Sequence, residues 1–170
     1  MDGNSSMNEH ILLRAHKRAI YLNAECESCG YDDPLVLDRL GDGSVILCRR
    51  CRLAKCGRST IEAHHLAGRA NHPKTISVDA NGHARLTALQ VGGWPRPTLR
   101  NPHRDPLLKS AALMRALHDL HAIGLLEDHL DDIMPLMREA AEQIESIGSY
   151  LAAALGATWH RGWEEARDDG

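Results

Sequence analysis

Phenylalanine is absent from this 170-residue chain, and tryptophan and tyrosine occur only three times each. The core must therefore be filled by Leu, Ile, Val, Ala and Met. No apolar run approaches the roughly 20 residues that a bilayer-spanning helix requires, so no membrane association is expected. The first residues, Met1-Asp2-Gly3-Asn4-Ser5-Ser6, lack the basic-then-apolar order of a secretory leader. With 43% hydrophobic and 25% charged residues the composition is that of a soluble globular chain. There is no internal repeat and no low-complexity tract.

Five cysteines are present, an odd number, and four of them form two Cys-x-x-Cys pairs. Cys26–Cys29 and Cys48–Cys51 are separated by 18 residues, a spacing suited to a tetrahedral four-thiolate zinc site rather than a disulfide set. Each tight pair offers two thiolates on one turn, and the segment between them can bring the pairs together. Redox chemistry at one pair is the rival reading, but no thioredoxin-like pattern surrounds either. Cys56 is left over, as an alternative ligand to Cys51 or a small free thiol. This usage points to a reducing compartment, and a cytoplasmic protein is expected.

The formal charge of −3 conceals two halves of opposite sign. Residues 1–105 carry 15 Lys/Arg against 11 Asp/Glu, and residues 106–170 carry 5 against 12. The densest basic cluster is Arg49, Arg50, Arg52, Lys55 and Arg58, uninterrupted by acid. Such a stripe can follow a phosphate backbone, or it can be an ordinary solvated face. A zinc centre of four thiolates would weaken its field locally.

Periodicity and punctuation place the elements. Residues 8–23 suggest a helix capped by Asn8, with Ile11, Leu12, Ala15, Ala19 and Leu22 on one face. Leu35–Leu37 and Val45–Leu47 are strand candidates around the turn Gly41-Asp42-Gly43-Ser44. Ser59–Leu66 suggests a strand, Gly68–Lys74 a loop and Thr75–Val78 a second strand. Asp79 can cap a helix from about Ala80 to Gln90. Gly92-Gly93-Trp94-Pro95-Arg96-Pro97 looks like a linker. Beyond it, Asp105-Pro106 starts a helix with a broad apolar stripe from Leu107 to Ile123, closed by Gly124. A second helix is expected from near Asp132, with Pro135 in its first turn, to near Gly156. Trp159 and Trp163 could anchor a short terminal helix. Stripes of this kind are ordinarily packing surfaces. Here they would fold back on the rest of the chain, or pair with a second copy or a partner protein.

The most informative stretch runs from Glu62 to Pro73. Two adjacent histidines, His64-His65, end the first strand; Gly68, Arg69 and Pro73 shape the loop, and His83 opens the following helix. That order suits a site in which one imidazole holds a divalent cation while its neighbour takes a proton from water. These residues resemble the HNH endonuclease family, also called the ββα-metal or His-Me finger. The direct match covers about 30 residues, or about 60 with the cysteine knuckles that many such proteins carry. The resemblance implies that His64 and His83 ligate Mg²⁺ or Mn²⁺ and that His65 is the general base for phosphodiester hydrolysis. Arg49, Arg50, Arg52, Lys55, Arg58 and Arg69 would face DNA, with His72 a further phosphate contact.

The chain departs from the family in three places. The family's middle Asn aligns with Lys74 or Thr75, and Asn71 lies earlier in the loop. A ligand one turn after His83 would fall on Thr87. The cysteine pair often found before the helix histidine is replaced by Asp79 and Gly82. The expectation is thus an α+β protein with an N-terminal helix, a zinc-ribbon-like hairpin, a ββα-metal motif and a C-terminal helical hairpin. Residues 1–95 would form the zinc-stabilised nuclease domain, and 96–170 an acidic helical extension. A metal-dependent DNA endonuclease is the first functional reading. The alternative is a catalytically degenerate zinc protein of the same fold that binds nucleic acid or a partner protein.

Overall fold

The computed structural model describes residues 20–41 and 43–155. Most of the expected helix at 8–23 and the tail with Trp159 and Trp163 lie outside them. Among the described residues the architecture is α+β, with two separate antiparallel hairpins and five helices.

The first hairpin pairs β1 (Leu37–Leu40) with β2 (Val45–Cys48), in register Leu37 to Cys48 and Leu40 to Val45. β1 begins later than Leu35 because Asp33 makes a turn there. Its carboxylate accepts the Leu35 N–H at 2.9 Å and its carbonyl accepts the Val36 N–H at 3.1 Å. Helix α1 (Arg49–Lys55) follows without a break, and Cys48 is its N-cap, the sulfur accepting the Cys51 N–H at 3.5 Å. Tyr21, Cys26, Val36, Leu37, Leu47 and Cys48 are the buried residues of this small core.

The second hairpin pairs β3 (Ile61–His65) with β4 (Thr75–Asp79). Residues directly opposite share a face. Glu62 faces Val78 and His64 faces Ile76, so the inner surface carries two polar side chains beside two buried aliphatics. Asp79 then caps α2 (Ala80–Gly93), its carboxylate accepting the Asn81 N–H at 2.8 Å and the Gly82 N–H at 3.3 Å. Strand, loop, strand and helix thus follow in the expected order.

The Gly92–Pro97 segment is no free linker. Helix α2 runs on through Gly93, and Trp94 is buried with its indole N–H donating to Asp119 Oδ2 at 2.8 Å. A short helix α3 (Arg96–Arg100) leads to α4 (Pro106–Ala122), which Asp105 caps as expected. Gly124, at φ +76°, ends α4 with Leu125 N–H bonding back to the Leu120 carbonyl at 2.9 Å. A 3-10 turn (Glu127–His129) leads into α5 (Leu130–Leu155), so Pro135 sits inside the helix rather than in its first turn. Ala112, Leu113, Ala116 and Leu120 of α4 share one core with Ile133, Leu136 and Ala140 of α5 and with Leu66, Ile76, Val78 and Leu86. The two helices fold back on the second hairpin. The distal part of α5 leaves Ile144, Tyr150 and Leu151 exposed. Among the described residues no helix is long and apolar enough to cross a membrane.

Candidate metal and histidine sites

The first knuckle is a tight turn in which Cys29 and Gly30 N–H groups both reach the Cys26 carbonyl, at 3.2 and 2.8 Å, with Gly30 at φ +72°. Glu27 fastens it to β2, its N–H donating to the Ile46 carbonyl and its carboxylate accepting the Ile46 N–H at 2.7 Å. The second knuckle is the β2–α1 junction. The result is that the sulfurs of Cys26, Cys29, Cys48 and Cys51 all lie within 4.8 Å of one another. Cys29 and Cys48 sulfurs are 3.8 Å apart. Tetrahedral thiolates, each roughly 2.3 Å from a zinc ion, lie roughly 3.8 Å from one another, so the donor set fits a structural metal such as zinc. Burial pushes the Cys26 thiol up, but the backbone N–H donors around it prevail and bring it down to about 6. Burial and the surrounding sulfurs push Cys51 up to about 12. A cation among the four sulfurs would favour their thiolate forms. Cys56 is exposed and stands outside the group.

The histidines converge on a different point. His64, on the inner face of β3, is only 4% exposed, and its Nε2 is buried with no hydrogen-bond partner. His83 projects from the first turns of α2, and the two rings meet edge to face with centroids 5.1 Å apart. Burial, followed by the neighbouring His83 and His65 rings, lowers the His64 pKa to about 4. Burial lowers His83 too, opposed by the Glu62 carboxylate, whose Oε2 is 3.5 Å from His83 Nδ1. Two neutral imidazoles with an orphaned nitrogen between strand and helix are ready to donate lone pairs. Among the described residues, however, only the four cysteines bring three or more such ligand atoms within 4.8 Å. Thr87 is exposed on α2 and offers no third donor.

His65 is half-buried at the end of β3, and its Nδ1 is also buried without a partner. Its main chain is held by Gln90, whose side-chain amide donates to the carbonyls of His65 at 3.1 Å and Leu66 at 2.9 Å. Nothing in the sequence marked Gln90, which lies 25 residues away. Asn71 does not reach the histidines. It is buried, donating to the Ala67 and Thr98 carbonyls at 3.0 and 2.7 Å and accepting from Asn101 at 2.9 Å, which fastens the loop to α3. The loop is fastened to α5 as well. His72 lies 3.4 Å from Glu139 and accepts the Lys74 N–H at 3.0 Å, and Lys74 pairs with Asp132 at 2.7 Å.

The basic cluster is unevenly free. Arg49 forks onto Glu62 at 2.8 and 3.0 Å, and Arg52 lies 3.7 Å from Asp38. The neighbouring Cys29, opposed by burial, holds the Arg50 guanidinium pKa above its usual value, and the Arg50 backbone N–H donates to Asn81 at 2.9 Å. Lys55, Arg58 and Arg69 are exposed. No family model, curated protein or solved structure matches this chain.

The depressed His64 pKa has a thermodynamic consequence. An unfolded histidine takes up a proton below its ordinary value of 6.5, whereas folded His64 refuses it until about 4. The folded state therefore loses stability as pH falls through that window, by up to ~3 kcal/mol from this residue, and nothing from it above 6.5. Urea unfolding of zinc-loaded wild type and His64→Gln across this range should show a constant stability gap above pH 6.5. Below it the gap should move in favour of the variant; parallel curves throughout would mean that folded His64 titrates normally.

Proposed function

We propose that the protein is a metal-dependent endonuclease of the HNH type that hydrolyses phosphodiester bonds in double-stranded DNA. The observation that carries this reading is the buried, unpartnered Nε2 of His64 beside the edge of His83. A solvent-inaccessible imidazole nitrogen without a partner is costly unless something fills the position. His64 and His83 would hold Mg²⁺ or Mn²⁺, and His65 would take a proton from the attacking water. When bound, the ion neutralises the scissile phosphate and stabilises the leaving oxygen. The neutral state of the buried His64 suits a ligand, because no proton competes for it near neutrality. Gln90 fixes the backbone from which His65 projects. Lys55, Arg58 and Arg69 are exposed and would meet the phosphate backbone together with Arg50 and Arg52. The four cysteines would hold zinc in a purely structural role, since a four-thiolate centre keeps no open position.

The test is nicking of supercoiled plasmid by zinc-loaded protein in Mg²⁺ or Mn²⁺, beside His83→Ala. Cleavage that requires the added ion and disappears in the variant supports the proposal; a wild-type protein inert in both metals sinks it. One observation favours the degenerate alternative. Lys74, at the family's middle Asn position, is paired with Asp132, and Asn71 is committed to holding the loop. Under that reading, gel shifts occur without cleavage and weaken steeply with salt. A second copy or partner protein would use the distal end of α5, where Ile144, Tyr150 and Leu151 are exposed.

A further inference from the structure

Two histidines are a thin ligand set for a hard cation, which favours oxygen donors. The inner face of β3 supplies a candidate oxygen. Glu62 lies two residues before His64, and a strand's period of two puts both side chains on one face. Glu62 Oε2 is already 3.5 Å from His83 Nδ1, and His83 in turn touches His64. The three side chains form a contiguous row, His64–His83–Glu62, backed by the buried, unpartnered nitrogen of His64.

As the side chains stand, Glu62 is held away from a full convergence by Arg49. The guanidinium binds both carboxylate oxygens, through Nε at 3.0 Å and Nη2 at 2.8 Å. A positive guanidinium is thus seated on the carboxylate nearest the two imidazoles. Arg49 is also the first residue of α1, directly after Cys48, so its backbone is fixed at that junction, while its side chain is 32% exposed.

The geometry points to Glu62 as the third protein ligand of the ion held by His64 and His83, with the Arg49 guanidinium as a displaceable stand-in for that ion. Binding would turn Glu62 from Arg49 to the metal and release Arg49 toward a phosphate. This rests on the reading of His64 and His83 given under Proposed function. It deepens that reading by coupling metal loading to the exposure of a cation for substrate.

Mn²⁺ binding to zinc-loaded protein, counted by the electron paramagnetic resonance of the free ion, tests it without reference to activity. Wild type should show a site that His83→Ala abolishes. Glu62→Gln should weaken it by about 10–100-fold. Arg49→Gln should tighten it by roughly 2- to 10-fold, because a competing charge-assisted bond has been removed. The double variant decides the coupling. If Arg49 acts through Glu62, adding Arg49→Gln to Glu62→Gln changes nothing further. If it still tightens binding there, Arg49 is merely a repelling charge, and the stand-in role is overturned. If His83→Ala abolishes the site but Glu62→Gln does not weaken it, Glu62 is no ligand while the histidine reading survives. If wild type binds no Mn²⁺, both fall. Zinc content and thermal midpoint, measured on each variant, establish that the fold is intact.

Discussion

Extraction of zinc from protein loaded at the four-cysteine centre is expected to unfold the segment from Tyr21 to Lys55 while leaving α4 and α5 packed. The reason lies in the size of the two cores. The first hairpin is supported by six buried residues, Tyr21, Cys26, Val36, Leu37, Leu47 and Cys48, two of which are the sulfur donors themselves. A two-stranded hairpin alone is marginal in water, and a core this small needs a clip. In zinc-dependent modules, metal binding contributes about 10–16 kcal/mol that is also folding free energy. The other core, with thirteen buried residues drawn from β4, α2, α4, α5 and the loop after β3, needs no such help. Hydrogen exchange in a strong chelator should therefore show loss of protection across β1, β2 and α1, with α4 and the proximal half of α5 little changed. Cys48→Ser should reproduce this, since it removes both a ligand and the acceptor that caps α1. Cys56→Ser, an exposed position, should retain about one zinc per chain. Unchanged protection of β1 and β2 after extraction would show that the hairpin holds itself together.

The loss should also be felt at the histidines. Arg49, Arg50 and Asp33 are among the points at which the cysteine module grips the second hairpin and α2, beside the packing of Ala84 against its core. They act through the Arg49–Glu62 fork, the Arg50 N–H to Asn81, and the Arg85–Asp33 pair at 2.8 Å. Unfolding the module frees Glu62 and removes the guanidinium beside it. Of these contacts the Arg49–Glu62 fork is the one that reaches the side chains around His83 directly.

What could be read in advance followed from local signals. Asp79 and Asp105 announce their helices because a carboxylate can accept orphan N–H groups wherever it precedes a helical run. The cysteine spacing and the two adjacent histidines are likewise written in consecutive residues. The errors arose where tertiary contacts outweigh local preference. Gly92-Gly93 should end a helix, but burial of Trp94 against Asp119 carries α2 to their end and removes the linker. Leu35 and Val36 have strand character, but Asp33 turns the chain beneath them. Gln90 and Asn71 act on residues 24 to 30 positions away or on loop carbonyls, and an amide side chain carries no sequence mark of which carbonyl it will meet. Glu62 is different in kind, because its place two residues before His64 on a strand is enough to put the two side chains on one face.

His65→Ala is expected to lower the rate of plasmid cleavage by about 10²–10⁴-fold, the usual contribution of a general base, with Mn²⁺ affinity and DNA affinity nearly unchanged. The separation of effects follows from strand geometry. His64 and His65 are neighbours on β3, so their side chains leave opposite faces of the hairpin. His64 is turned inward against His83, whereas His65 is half-buried at the strand end beside the loop. Removing the inward ring should destroy the ion's site; removing the outward one should leave the ion in place and take away the proton acceptor. His64→Ala must therefore fail in metal binding and cleavage together, and His65→Ala in cleavage alone. The carbonyl of His65 stays fixed by Gln90 in the variant, so loss of the ring does not loosen the strand. Equal loss of metal by both variants would place His65 among the ligands and leave the reaction without its proposed base. Retention of full activity by His65→Ala would move the proton-accepting role elsewhere.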